Sequence, residues 1–212
     1  AVLIMTGNTA GTITGTTTPS TIQQLTIEKT GAAVVSLNVN VSAVLFLNIF
    51  SGTLFTSTYS ISQDPGGAVL IINSDATLKV GGTNTLPSFS GYSVDVNSNV
   101  DYAGVATTQT VANSVNYGNL IISGTGNKNA YTALTVLGNL TISNGTFNTN
   151  TFTVSHSVAG NFIMTGGTIA GTAATYVLNG SSDQALTLLS NLFKLTINKA
   201  GGYVNLGSNI TI

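Results

Sequence analysis

The residues with the most direct claim to chemistry are the single histidine, His156, and six carboxylates, and they form no constellation. A nucleophilic triad or a histidine metal centre needs polar partners converging on one imidazole. The stretch Thr153-Val154-Ser155-His156-Ser157-Val158 places none nearby, so His156 is expected on the surface or in a turn. With one histidine and no cysteine, zinc is not expected. Polysaccharide cleavage needs clustered carboxylates or basic residues to move protons and stabilise charge. Glu28, Asp64, Asp75, Asp95, Asp101 and Asp183 are scattered, so the chain reads as a non-enzyme with no catalytic, cofactor-binding or metal residues assigned.

Weaker patterns remain. Asp95-Val96-Asn97-Ser98-Asn99-Val100-Asp101 puts oxygen-bearing side chains on alternate positions, the ligand type calcium favours. It departs from an EF-hand loop, because Val100 stands where the invariant glycine belongs and Ala106 where the bidentate glutamate belongs. An extended strand with a polar outer face explains the alternation equally well. Thr-x-Thr recurs at Thr12, Thr56, Thr83, Thr108 and Thr149, the residue type of an ice-binding ladder, but at spacings of 25 to 44 residues. Asn-x-Ser/Thr sequons begin at Asn40, Asn139, Asn144, Asn179 and Asn209, a number that composition alone yields. Asparagines at turns can instead stack as amide ladders. The tyrosines, at 59, 92, 102, 117, 131, 176 and 203, are dispersed and give only a weak carbohydrate-binding reading.

The elements that must carry these residues follow from composition and period. The 212 residues include 34 Thr, 24 Gly, 23 Asn and 21 Ser, while only 5% are charged and the net charge is -1. Small neutral polar groups have replaced ions, and no basic cluster exists to bind nucleic acid or anionic membranes. No apolar run approaches the length of a spanning helix; the longest, Ala43 to Phe50, is broken by Asn48. With no basic n-region at Ala1-Val2-Leu3-Ile4-Met5, a targeting peptide is expected to be absent or already removed, and the absent cysteine means that disulfides do not hold the fold. Apolar and polar residues alternate with period two, as in Gln24-Leu25-Thr26-Ile27-Glu28 and Lys194-Leu195-Thr196-Ile197-Asn198. That period predicts half-buried strands joined by Gly, Asn and Ser turns, with almost no helix.

Repetition is the strongest signal. Gly-Asn-apolar-x-apolar occurs at Gly118-Asn119-Leu120-Ile121-Ile122, Gly138-Asn139-Leu140-Thr141-Ile142 and Gly160-Asn161-Phe162-Ile163-Met164, at spacings of 20 and 22. Leu25-Thr26-Ile27-Glu28-Lys29-Thr30-Gly31 is echoed by Leu195-Thr196-Ile197-Asn198-Lys199-Ala200-Gly201, and Ile4-Met5-Thr6-Gly7 by Ile163-Met164-Thr165-Gly166. The expected fold is all-β: a right-handed parallel β-helix, or closely related β-solenoid, with coils of about 20–22 residues and residues 1–212 as one continuous array. About ten coils would make a rod of about 48 Å. Inward positions are expected to include Leu25, Ile27, Leu120, Ile122, Leu140, Ile142, Phe162, Met164, Leu195 and Ile197. The segment Val204 to Ile212 is expected to run as a strand to its last residue, leaving open sheet edges for a second copy or flanking repeats. An antiparallel sandwich is the alternative, since turn signals every 8 to 12 residues describe it too.

The runs Leu134 to Phe147, Val158 to Phe162 and Leu195 to Thr211 resemble the repeats of large secreted, adhesin-like surface proteins of Bacteroidota-type bacteria. The likeness covers roughly Tyr117 to Ile212 and is diluted before that. It implies an extracellular, cell-surface, non-catalytic solenoid, commonly exported by the type IX route, although that family's C-terminal sorting domain is not visible. The combined expectation is the shaft of a surface adhesin or extracellular filament, built by end-to-end stacking with copies of itself or flanking repeats. Cell-surface glycans are a further expected partner, without cofactors, nucleic acid or membrane insertion. A carbohydrate-binding or ice-binding module is the alternative function.

Overall fold

Alternating Leu, Ile and Val with Thr and Asn gives each strand one apolar face, which a single coil cannot bury alone. In the computed structural model, which describes residues 1–16, 19–64 and 66–211, the chain winds these strands into a parallel β-solenoid. The described residues contain no helix, hence none long and apolar enough to cross a membrane, and their strand pairings are parallel, which replaces the sandwich alternative.

One sheet of ten strands runs the length of the molecule. It comprises Gly11–Ile13, Val34–Leu37, Thr53–Phe55, Thr77–Val80, Asn99–Tyr102, Asn119–Ile122, Leu140–Ile142, Phe162–Met164, Gln184–Thr187 and Val204–Leu206. Nine steps at one strand spacing make about 43 Å of ladder. Partners lie from 19 residues apart, at Val34 and Thr53, to 24, at Phe162 and Leu186, a wider range than the repeat motif suggests because the corners absorb insertions.

The other walls change along the rod. A six-stranded sheet from Val2–Gly7 to Gly91–Val94 flanks the first half. A four-stranded sheet from Gln109–Thr110 to Thr168–Gly171 and a five-stranded one from Asn116–Tyr117 to Lys194–Ile197 flank the second. The sequence repeat is clear only in that second half. In the first, Ser20–Lys29 pairs with Val41–Ser51 through register shifts near Ile22 and Ile27 that interrupt the parity of the pattern.

The bore is a stack of apolar layers. Leu54, Leu78, Val100, Leu120, Leu140 and Phe162 pair in succession and are buried. Of the ten expected inward residues, eight are core. Leu195 is only partly buried and Ile197 is 58% exposed. Both lie on Lys194–Ile197, the last strand of its sheet, so their faces have no next layer among the described residues. The C-terminal strand also stops early: it ends at Leu206, and a bend at Gly207 and Ser208 follows, where Ser208 Oγ accepts the Leu188 N–H at 2.8 Å. Ile212 lies outside the described residues.

The Gly-Asn repeat has a physical cause. Asn119 Oδ1 accepts the main-chain N–H of Asn139, Asn139 Oδ1 that of Asn161, and Asn161 Oδ1 that of Ala185, at 2.8, 2.8 and 2.7 Å. Each asparagine thus satisfies a donor one coil further on. The preceding glycine lets the corners close: Gly138 N–H donates to Gly118 O at 2.7 Å, and a Cβ on Gly138 would lie 2.4 Å from Asn119 Oδ1. Asn139→Ala is expected to lower stability by about 1–2 kcal/mol in a urea melt, since the Asn161 N–H loses its acceptor. A loss under about 0.3 kcal/mol would show that the ladder bond is replaceable.

Candidate functional site

Inside the second half of the rod the column of apolar layers is interrupted by polar side chains, and these are the chemically distinctive groups of the molecule. Lys128 is fully buried on Asn127–Asn129, in register between Gln109 and Phe147. Its ammonium donates to the carbonyls of Gly104, Gly126 and Gly124 at 3.0, 3.1 and 3.3 Å. Burial pushes it below the ordinary lysine value, and Asp101 partly offsets this. One coil earlier, Gln109 accepts the Gly104 N–H at 2.8 Å and donates to Asn84 O and Val80 O at 2.9 and 3.1 Å. Gln184 does the same near the C-terminal end, bridging Gly180 N–H to Val158 O and Gly160 O. Lys199 adds donors to Gly180 O, Ser182 O and Gln184 Oε1, and Lys29 donates to Thr6 O at 2.6 Å. Two of the five lysines, Lys128 and Lys199, therefore donate to corner carbonyls that strand pairing leaves over, and Lys29 to a carbonyl of the first strand.

Tyrosines close a second set of corners. Tyr102 and Tyr117 are fully buried, with hydroxyls 3.0 Å apart. Tyr102 Oη accepts the Ala112 N–H at 3.0 Å, and Tyr117 Oη donates to Ala112 O at 2.5 Å. Burial raises both phenols above the usual tyrosine range. With Tyr176 they make three of the seven tyrosines core residues, withdrawn from any sugar-stacking role, while Tyr203 is 76% exposed.

The sequence candidates fall apart in space. Asp95 Oδ1 accepts the Asn97 N–H at 2.8 Å within a turn. Asp101, six residues on, is buried on the outer face of the long sheet and meets Ser123 Oγ at 2.6 Å and Lys79 Nζ at 3.7 Å. Burial raises its carboxyl above the ordinary value, partly offset by Ser123 and then Lys79. Lys79 also lies 5.6 Å from the Phe55 ring centroid, so Phe55, Lys79 and Asp101 form one outward column. The Asp95–Asp101 alternation thus splits between a turn and an ion pair, and no group of three or more histidine, cysteine or acidic residues converges among the described residues. The Thr-x-Thr pairs do not form one continuous ladder: Thr85 Oγ1 donates to Thr110 O at 2.6 Å one coil on, but Thr12 pairs with Ser36. Of the sequon asparagines, Asn144, Asn179 and Asn209 are exposed. Asn40 binds Ser60, and Asn139 belongs to the amide ladder.

His156 overturns its expectation. It lies on Ser155–Val158 at 1% exposure and in register with Tyr176, their ring centroids 5.5 Å apart. Val154 and Val158, two residues either side, share its parity and mark an inward face that the polar imidazole obscured. The inward lysines carried the same signal, since Leu25, Ile27 and Lys29 have one parity, as do Leu195, Ile197 and Lys199.

A surface groove of about 420 Å³ lies between Gly91–Val94 and Ser114, Val115 and Asn116, where the six-stranded sheet ends and the five-stranded one begins. Tyr92, Val94, Val115 and Leu137 line it, without a histidine or carboxylate. Fold and interior together define a parallel β-solenoid repeat protein whose buried Lys128, Gln109 and Gln184 serve its own main chain. Comparison with family models, curated proteins and solved structures finds no match to this chain.

Proposed function

We propose that this solenoid is the structural shaft of a secreted bacterial surface adhesin or extracellular filament, without catalysis, extended end to end by copies of itself or by flanking repeats. The observation that carries the reading is the ten-strand ladder, which runs unbroken from one end of the rod to the other. Its terminal layers leave inward apolar residues uncovered: Leu3 and Met5, in register with Leu25 and Ile27, are only partly buried at one end, and Ile197 and Leu206 are 58% and 64% exposed at the other. A further coil on either end would bury them as each internal coil buries its neighbour. A nearly uncharged Thr, Ser and Asn surface can pack laterally without desolvating ions, which suits a fibre. The likeness to Bacteroidota-type surface repeats supports an extracellular, type IX-exported setting and surface glycans as attachment targets.

Electron microscopy of the purified chain over a concentration series tests this. The expected images show rods one solenoid wide, lengthening in multiples of about 43 Å as concentration rises. Particles that stay single at every concentration, with no end-on contacts, would remove self-stacking from the proposal.

A further inference from the structure

Within the bore of the second half, His156 stacks in one column with Leu134 before it and Tyr176 and Leu195 after it. Phe147 packs against the imidazole edge at 5.6 Å between ring centroids, and Phe162 packs on Tyr176 at 5.4 Å. Neither imidazole nitrogen nor the Tyr176 hydroxyl has a hydrogen-bond partner among the described residues. Three polar atoms are thus held in an aromatic layer where leucine would pack at no polar cost.

From this geometry we propose that the His156–Tyr176 layer is an acid-sensitive joint: protonation of His156 opens the coils around Ser155–Val158 and Thr175–Leu178 while the first half of the rod stays wound.

An imidazolium there would be a buried charge without an anion. From Thr175–Leu178 the one titratable group against it is Tyr176, a neutral phenol that burial pushes far up. Thr146–Asn150 contributes the uncharged Phe147, and Thr135–Val136 no titratable group. Lys128, in register one layer before Phe147, is itself a cation whose protons are committed to Gly104, Gly124 and Gly126. Burial accordingly lowers His156 from its ordinary 6.5 to about 4. A folded value below the unfolded one means that the unfolded chain binds the extra proton. Stability is then intact above pH 6.5 and falls as pH drops toward 4. Across that window the opening constant should rise roughly 80-fold, and roughly 60-fold between pH 7 and pH 4.5. Coils contact only their neighbours, so the response is confined to the layers that share the imidazole.

Hydrogen exchange at pH 7 and pH 4.5 on the whole chain reads this out. The expected result is a loss of protection at Ser155–Val158 and Thr175–Leu178, with Leu70 and Leu78 still protected, and no such loss in His156→Leu or His156→Phe. Equal acid responses in parent and variants would overturn the joint, as would simultaneous loss of protection along the whole rod. Should both variants fail to fold, an NMR titration of the parent imidazole decides: a midpoint near 4 supports the joint, and one near 6.5 overturns it.

Discussion

Lys128→Met is expected to lower the unfolding free energy by about 3 kcal/mol, the cost of leaving buried acceptors without their charged donor. The side chain is fully buried, and methionine nearly matches its volume, so the change isolates the ammonium. Three carbonyls, from Gly104, Gly124 and Gly126, share that donor, while Gly126 O also accepts the Thr146 N–H at 3.2 Å. The loss should therefore concentrate at the corners of Gly104 and Gly124. Lys194→Met, at an exposed position of similar chemistry, is the control and should change stability by less than about 0.5 kcal/mol. Parallel urea melts of the two variants check this. Equal stability of Lys128→Met and parent would mean that the desolvation cost of the buried cation cancels what its three bonds contribute.

Solenoid corners explain why a chain with so few ions buries some of them. Strand ladders satisfy main-chain groups along the walls, but a corner turns its carbonyls into the bore or toward the next coil. Asparagine supplies acceptors for stray N–H groups, as Asn119, Asn139 and Asn161 do, and lysine supplies donors for stray carbonyls. Glutamine does both at once, as Gln109 and Gln184 show. The low surface charge and the inward lysines then belong to one pattern: polar side chains are selected for reach and for hydrogen-bond type rather than for charge.

This pattern also marks where the sequence was legible. Parity identified the inward faces of Leu25, Ile27, Leu120, Ile122, Leu140, Ile142, Phe162 and Met164, because in a strand alternation alone decides orientation. Orientation is not burial, which is why Leu195 and Ile197 point inward yet remain partly or largely exposed in the last layer of their sheet. His156 and Lys128 were hidden for the opposite reason. Their polarity suggests solvent, whereas their parity, shared with Val154 and Val158 in one case and Ala130 in the other, suggests the bore. The Asp95–Asp101 cluster dissolved because a turn at Asp95 to Ser98 separates its members, and the spacing of oxygen atoms in sequence carries no record of that turn. The first half of the repeat stayed faint because register shifts within Val41–Ser51 break the period that makes repeats visible.

Leu140→Asp should have the largest effect of any single change, at about 5 kcal/mol. Leu140 is 1% exposed and lies between Leu120 and Phe162 in the apolar column of the long sheet. Its ladder partners leave no room for the carboxylate to reach water, and no cation faces that column as Lys79 faces Asp101 on the outer side. Thr141→Asp, one residue on and on the outer face, is the matched control and should cost under about 1 kcal/mol. Because each coil is stabilised by its two neighbours, the carboxylate at 140 should uncouple the array at that layer rather than weaken it evenly. The melt of Leu140→Asp is then expected to split into two transitions, with the strands before Asn119–Ile122 retaining their exchange protection and those from Phe162–Met164 onward losing it first. A single transition at the parent temperature would remove Leu140 from the core. A single transition at a lower temperature would show that the ten-strand sheet couples its coils more tightly than nearest-neighbour stacking requires.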